Sequence, residues 1–335
     1  MVFLRKLLFP FSLLYAGITA LRNVLYNRGL LQSKAYKIPI ICVGNLSTGG
    51  TGKTPMIELL VSYLMPHQKV AILSRGYKRT TTGYREVFVD STAKEVGDEP
   101  LQFKNKFPNL TVAVCEDRPT GIEKLMQNNG AILLDDAFQH RKVKASFNIL
   151  LTAYGSLYVD DCVLPAGNLR EPKAGAGRAD CIVVTKCPET ISHSEMDKIR
   201  LRLKPRPHQE IFFSKIGYAT EIKNKMESKS LSFLRGRPFH LVTGIAKPQP
   251  LIAFLKSEGL DFTWKAFPDH HNFTEAEMEA LQKYPLVLTT EKDFMRLLPL
   301  AKKTELFYLP IKTVLLQNEA VKFKAQILRK TKLEM

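Results

Sequence analysis

The segment Ser47-Thr48-Gly49-Gly50-Thr51-Gly52-Lys53-Thr54 follows an apolar run over residues 38–43 and leads into a helix-like stretch over residues 54–65, halted near Pro66. A strand, a glycine-rich loop and a helix in that order form a phosphate cradle. The glycines let backbone N–H groups turn toward phosphate oxygens, and the helix start adds positive potential. In such a cradle Lys53 bridges the β- and γ-phosphates of a nucleoside triphosphate, and the Thr54 hydroxyl holds Mg²⁺. The usual spacing has glycine five residues before Gly52, where this chain has Ser47, so the tight turning falls to Gly49 and Gly50. The chemistry implied is transfer of a γ-phosphate from ATP-Mg.

Carboxylates come next. Ala131-Ile132-Leu133-Leu134-Asp135-Asp136 is an apolar run ending in two acids. At the carboxyl end of a strand beside a phosphate loop, such acids hold Mg²⁺; without the loop they would read equally as a turn. Glu171 is a further candidate for that cluster, although Arg170-Glu171 also reads as a surface ion pair of little weight. Arg75 and Arg118 either hold phosphates and transition-state charge or are solvated. By itself Gly97-Asp98-Glu99-Pro100 reads as a helix start, with Asp98 as the cap. His270 and His271 have no third ligand at zinc spacing. Gln139 and His140 either hold the acids in place or are polar core residues. Val183-Val184-Thr185-Lys186 has the form of a base-reading lysine segment, but Pro188 stands where guanine recognition needs Asp, which favours ATP.

The stretch Leu134-Asp135-Asp136-Ala137-Phe138-Gln139-His140 resembles the Asp-Asp-Gly-Phe-Gln-His signature of the tetraacyldisaccharide 4′-kinases, the lipid A 4′-kinases. The likeness continues through Gly44-Asn45-Leu46, Ser74-Arg75-Gly76-Tyr77, Gly97-Asp98-Glu99-Pro100, Glu116-Asp117-Arg118, the run from Leu164 to Pro172, Thr243-Gly244-Ile245-Ala246, Asp269-His270-His271-Asn272-Phe273 and Thr290-Glu291-Lys292-Asp293. One departure is Ala137, where the family has glycine. The resemblance implies ATP-dependent phosphorylation of the 4′-hydroxyl of a tetraacylated glucosamine disaccharide 1-phosphate at the cytoplasmic face of the inner membrane. It also implies that Asp98 is the catalytic base and His270 the partner that orients or tunes it, and that Asp135 and Asp136 lie near Mg²⁺ and the γ-phosphate.

The elements that must position these groups follow an α/β rhythm. Short apolar runs alternate with helical stretches, which predicts a P-loop NTPase-like, doubly wound, mostly parallel sheet with a second, smaller α/β domain. A chain of 335 residues suits two domains. The expected division is a membrane-associated amphipathic helix in residues 1–30, an ATP-binding kinase domain in 31–207, and a second domain in 208–335 that includes a linker strand and a basic C-terminal helix. Five cysteines without a CxxC pair read as reduced thiols.

Residues 7–21 are mainly apolar with basic flanks, and shorter than the ~20 residues of a membrane span. They read as a helix packed on the body or as one lying in the bilayer interface, and the net charge of +17 favours the second. That charge attracts anions, but no basic–aromatic interleaving suggests a nucleic-acid partner. No obligate protein partner is evident. A switch-type P-loop ATPase would carry a second lysine where this chain has Thr48.

Overall fold

The structure of the chain, a computed structural model, describes residues 5, 7–269, 271, 273–301 and 304–331. It begins with α1 (Phe9–Asn27), then β1 (Ile40–Asn45), α2 (Lys53–Leu64), β2 (Val70–Ser74) and β3 (Arg85–Glu86). Next come α3 (Ala93–Val96), α4 (Asp98–Lys106), β4 (Thr111–Val114), α5 (Arg118–Leu125), β5 (Ala131–Asp135), β6 (Phe147–Ala153), β7 (Cys181–Thr185) and α6 (His193–Leu203). After β8 (Glu210–Tyr218) follow β9 (Glu221–Lys223), β10 (Ser228–Ser230), β11 (Phe239–Thr243), α7 (Gln249–Ser257) and β12 (Phe262–Ala266). The last elements are α8 (Glu275–Leu281), β13 (Leu286–Thr290), α9 (Glu291–Leu297), β14 (Glu305–Leu309), β15 (Ile311–Leu315) and α10 (Ala320–Lys330).

Two compact units result, Met1–Ile216 with Thr313–Met335, and Gly217–Lys312. The first holds a sheet in the order β15-β8-β7-β6-β1-β5-β2-β4-β3. Every neighbouring pair from β8 to β4 is parallel, and β3 runs antiparallel at the edge. Because helices cover both faces of such a sheet, its strands are apolar throughout rather than alternating. All residues of β1, β2, β5 and β7 are buried. Ile40 and Cys42 enter the core on one face, Ile41 and Val43 the core on the other, as the period of a strand requires. The doubly wound, mostly parallel class expected from the sequence is the one observed.

The C-terminal helix departs from expectation. Instead of joining the second domain, α10 buries Phe323, Ile327 and Leu328 in the same core as Ile57 and Leu60 of α2. The Phe323 ring meets Phe212 of β8 edge-on at 5.0 Å. Residues four apart on one helix face supply this apolar stripe, and its basic residues stay outside.

The second unit has a sheet in the order β10-β9-β14-β13-β11-β12. Its strands from β14 to β12 are parallel, and β9 runs antiparallel to both of its neighbours. Leu241, Leu288 and Phe307 lie at its core.

Candidate active site

The phosphate loop leaves β1 at the middle of the first sheet, between β6 and β5. Asn45 steadies it from within, donating to Thr51 Oγ1 at 2.8 Å and to the Gly49 carbonyl at 3.3 Å. Gly49 (φ +112°) and Gly52 (φ +84°) take the left-handed turns. Gly50, expected to share that role with Gly49, does not. Ser47 bridges to Leu169 on a neighbouring strap and so does not need to be glycine. Lys186 Nζ donates to the Gly50 carbonyl at 2.5 Å, and Thr185 Oγ1 to the Thr51 carbonyl at 2.8 Å. The Lys186 segment thus buttresses the loop backbone.

Gly52 sits at the cap position of α2, so Lys53 and Thr54 form its first turn. Lys53 Nζ lies 3.6 Å from Asp136 Oδ1. Asp136 holds φ +48°. The left-handed residue of this turn is therefore Asp136 and not Ala137, which explains why alanine fits where the family has glycine. The preceding Asp135 is 1% exposed. Ser74 donates to its Oδ2 at 3.0 Å, while its Oδ1 has no hydrogen-bond partner. Burial, then the carboxylates of Glu99 and Asp136, push the Asp135 carboxyl up to about 7, against the opposing pull of Lys53. A buried acid with a free oxygen, near enough to Lys53 to feel its charge, is a site suited to a hard divalent cation.

Residues 164–171 form a strap that joins the loop to α1. On the loop side, the Thr48 N–H donates to the Asn168 carbonyl and the Arg170 N–H to the Leu46 carbonyl, both at 2.7 Å. Arg170 Nη1 is 3.0 Å from both oxygens of Asp136. Glu171, 3% exposed, pairs with Arg178 and not with its chain neighbour. The alternative reading of Arg170 and Glu171 as a surface ion pair does not hold, since each pairs with another partner. On the outer side, Arg5 donates to the Pro165 and Gly167 carbonyls and Tyr15 to the Arg170 carbonyl.

Helix α1 therefore docks by its polar edge. Ser12 is its one buried residue, while Phe11, Leu14, Ile18 and Leu21 are each about 60% exposed. No helix among the described residues is long and apolar enough to cross a membrane.

A cavity of about 470 Å³ opens here. Tyr15, Thr19, Arg22 and Asn23 of α1 form one wall; Arg75, Arg118, Asp136, Gln139 and Arg170 contribute to the others. Arg118 is 2% exposed and spends its guanidinium on the Cys115 and Asp135 carbonyls, so it braces the strand end. Arg75 is exposed.

Asp98 is the first residue of α4, with Gly97 (φ +91°) in the cap position that sequence reading gave to Asp98. A Cβ on Gly97 would lie 3.3 Å from Gly76, so the 74–77 turn packs against this helix start. That contact and the influence of Glu99 on Asp135 place the start of α4 beside the acids. His270 lies outside the described residues. Its neighbour His271 has Nε2 at 3.0 Å from both carboxylate oxygens of Glu277 and stacks on Phe267.

Sequence reasoning missed Asn23, Glu99 and Arg170 as site residues. Glu99 stands within the Gly97-Asp98-Glu99-Pro100 motif, but Asn23 has no local signal. Gln139 resolves as a brace: its Nε2 donates to the Asn45 carbonyl and to Glu171.

Residues 4–332 match the family described as Tetraacyldisaccharide-1-P 4′-kinase. The chain is 47% identical over 322 residues to a Tetraacyldisaccharide 4′-kinase of Flavobacterium johnsoniae, covering 94% of each. Against the protein of that name from Bacteroides thetaiotaomicron it is 40% identical over 352 residues, covering 97% of this chain and 93% of the other. Among solved structures it resembles LpxK from Aquifex aeolicus in complex with ATP, with a TM-score of 0.79, 33% identity, and coverage of 98% of this chain and 99% of that one.

Proposed function

We propose that this chain, which belongs to the tetraacyldisaccharide-1-phosphate 4′-kinase family, transfers the γ-phosphate of ATP to the 4′-hydroxyl of a tetraacylated glucosamine disaccharide 1-phosphate in lipid A synthesis. The observation that carries the reading is the pairing of Lys53 with Asp136, which lines a cavity walled by α1, whose outer face is apolar.

Phosphoryl transfer is mostly positioning and charge stabilisation. The backbone of residues 47–54 cradles the phosphates, and Lys53 supplies positive charge to the β- and γ-oxygens. Thr54 and Asp135, with Asp136 near them, would hold Mg²⁺, which when bound neutralises charge on the phosphate oxygens. Glu171 has both oxygens taken by protein donors, so its part is to anchor the strap. Arg75, exposed in the cavity, meets a phosphate. Asp98 takes the proton of the attacking hydroxyl, and His270 orients or tunes it, roles that rest on family resemblance. The exposed apolar face of α1, the net charge of +17 and the acyl chains of the acceptor support a peripheral position on the cytoplasmic face of the inner membrane.

The test is label transfer from γ-labelled ATP to the tetraacyl disaccharide 1-phosphate, with and without Mg²⁺ and with a 4′-deoxy acceptor as control. Mg²⁺-dependent label on the first acceptor alone is expected. Equal labelling of the 4′-deoxy acceptor would overturn the assignment.

A further inference from the structure

Helix α1 carries a residue that reaches past the docking surface into the transfer site. Asn23 Nδ2 donates to Glu171 Oε2 at 2.7 Å. The amide is held in that orientation from its other end, because Arg141 Nη1 donates to Asn23 Oδ1 at 3.2 Å, and Arg141 Nη2 to Asn27 Oδ1 at 2.8 Å. Glu171 then accepts from three further donors, all on the body of the unit: Arg178 Nη1 at 2.9 Å, Arg178 Nη2 at 2.7 Å and Gln139 Nε2 at 3.0 Å. Two donors serve each oxygen, so the carboxylate is fixed in plane and position. A buried carboxylate with its donors complete is rigid, and removing Asn23 leaves the desolvated Oε2 with one donor, Arg178, where it had two.

The neighbour of Glu171 in the chain is Arg170, whose carbonyl accepts from Tyr15 and whose guanidinium binds Asp136. Asp136 in turn faces Lys53. One continuous path therefore runs from α1 through Glu171, Arg170 and Asp136 to the phosphate-loop lysine. We propose that Asn23 is a positioning residue for phosphoryl transfer: by completing the shell of Glu171 it sets the Arg170–Asp136 pair, and so ties the seating of α1 to the geometry at Lys53. This rests on the kinase reading above.

A docking role alone would make Asn23 one contact among several, since Arg5, Ser12, Tyr15 and Arg22 also bind α1 to the body. That difference decides the test. The full-length enzyme is assayed with γ-labelled ATP and saturating tetraacyl disaccharide 1-phosphate in detergent micelles, so that membrane partition plays no part. Asn23→Ala, Asn23→Asp and the docking control Ser12→Ala are compared, each checked by thermal melting. Asn23→Ala is expected to lower kcat about tenfold, the scale of one hydrogen bond to a charged group. Asn23→Asp, which sets carboxylate against carboxylate, is expected to lower kcat further. KM for the acceptor stays within about twofold, and Ser12→Ala keeps wild-type kcat. An unchanged kcat in Asn23→Ala, a loss confined to KM, or an equal loss in Ser12→Ala overturns the inference. Wild-type turnover in the same assay tests the kinase reading, and the variant-to-wild-type ratio tests this one. Should Asn23→Asp melt early, Asn23→Ala alone decides.

Discussion

Lys53 Nζ stands 3.6 Å from Asp136 Oδ1, and Arg170 Nη1 stands 3.0 Å from both oxygens of the same carboxylate. One acid thus balances two cations at the point where a γ-phosphate would arrive. Asp136 also holds a left-handed backbone, φ +48°, which asparagine adopts about as readily. Asp136→Asn therefore removes the charge while keeping the turn. It is expected to lower kcat on the order of 10²-fold or more, with little change in melting temperature. Steady-state kinetics beside thermal melting check this; wild-type turnover would show that the two cations do not need Asp136. Lys53→Ala, which removes a point charge and no core volume, should abolish transfer and leave the fold intact.

Gly44 and Phe138 touch more closely than any side chain on residue 44 would permit. A Cβ on Gly44 would lie 2.6 Å from Phe138 Cβ and 3.0 Å from its backbone nitrogen. Gly44→Ala must push the 134–140 turn away from β1, at a cost of about 1–3 kcal/mol in unfolding free energy. Because the clash is with Cβ and backbone, Phe138→Ala will not rescue it. Denaturant unfolding of the two single variants and the double variant reads this directly. Rescue by Phe138→Ala would mean that the ring, not the backbone, sets the spacing.

These two contacts show which parts of the site could be read from the chain. Lys53, Thr54, Asp135 and Asp136 declare themselves because phosphate binding demands a fixed local order of strand, loop, helix and strand-end acid. Strands β1, β2, β4, β5, β6 and β7 were legible for a related reason: buried parallel strands are uninterrupted apolar runs, as in residues 131–135. Strand β8, expected as a linker strand of the second domain, instead pairs with β7 in the first sheet. Asn23 is different. Its importance comes from meeting Glu171 across 148 residues, and nothing in the α1 sequence marks one asparagine over another. Arg170 and Glu171 show the opposite case, since adjacency in the chain offered, as one alternative, a pair that space does not make. Strands β14 and β15, separated only by Pro310, belong to different sheets, and no pattern in either announces its sheet.

The return of the chain to the first unit has an energetic consequence. Phe323 is fully buried, with Phe212 edge-on at 5.0 Å and α2 beside it. Phe323→Ala empties an aromatic site in the phosphate-loop core and should cost about 3–5 kcal/mol. The measurement is denaturant unfolding with and without ATP, since a ligand of the first unit shifts only the transition of that unit. If the loss appears in an ATP-insensitive transition, α10 belongs energetically to the second unit, as its place in the sequence had suggested.

The outer face of α1 is apolar and exposed. Phe11, Leu14 and Ile18 are 63%, 65% and 59% exposed. Their spacing of three and four residues puts them on one side of the helix. The polar edge already holds the helix to the body through Arg5, Ser12, Tyr15 and Asn23, so these three side chains have no structural duty there. In the interfacial reading they enter the lipid, each contributing about 1.5–3 kcal/mol when buried. Replacing all three with Asp should therefore lower partition onto anionic vesicles by orders of magnitude, raise KM for vesicle-borne acceptor, and leave kcat with micellar acceptor unchanged. Salt separates this from the basic surface. The attraction of a +17 chain to anionic lipid is screened at high ionic strength, whereas apolar insertion persists. Wild type should keep much of its vesicle binding at high salt, and the triple variant should lose nearly all of it. A variant that binds vesicles like wild type would move the membrane contact from α1 to the charged surface. One that melts early would show instead that the apolar face is packed against protein.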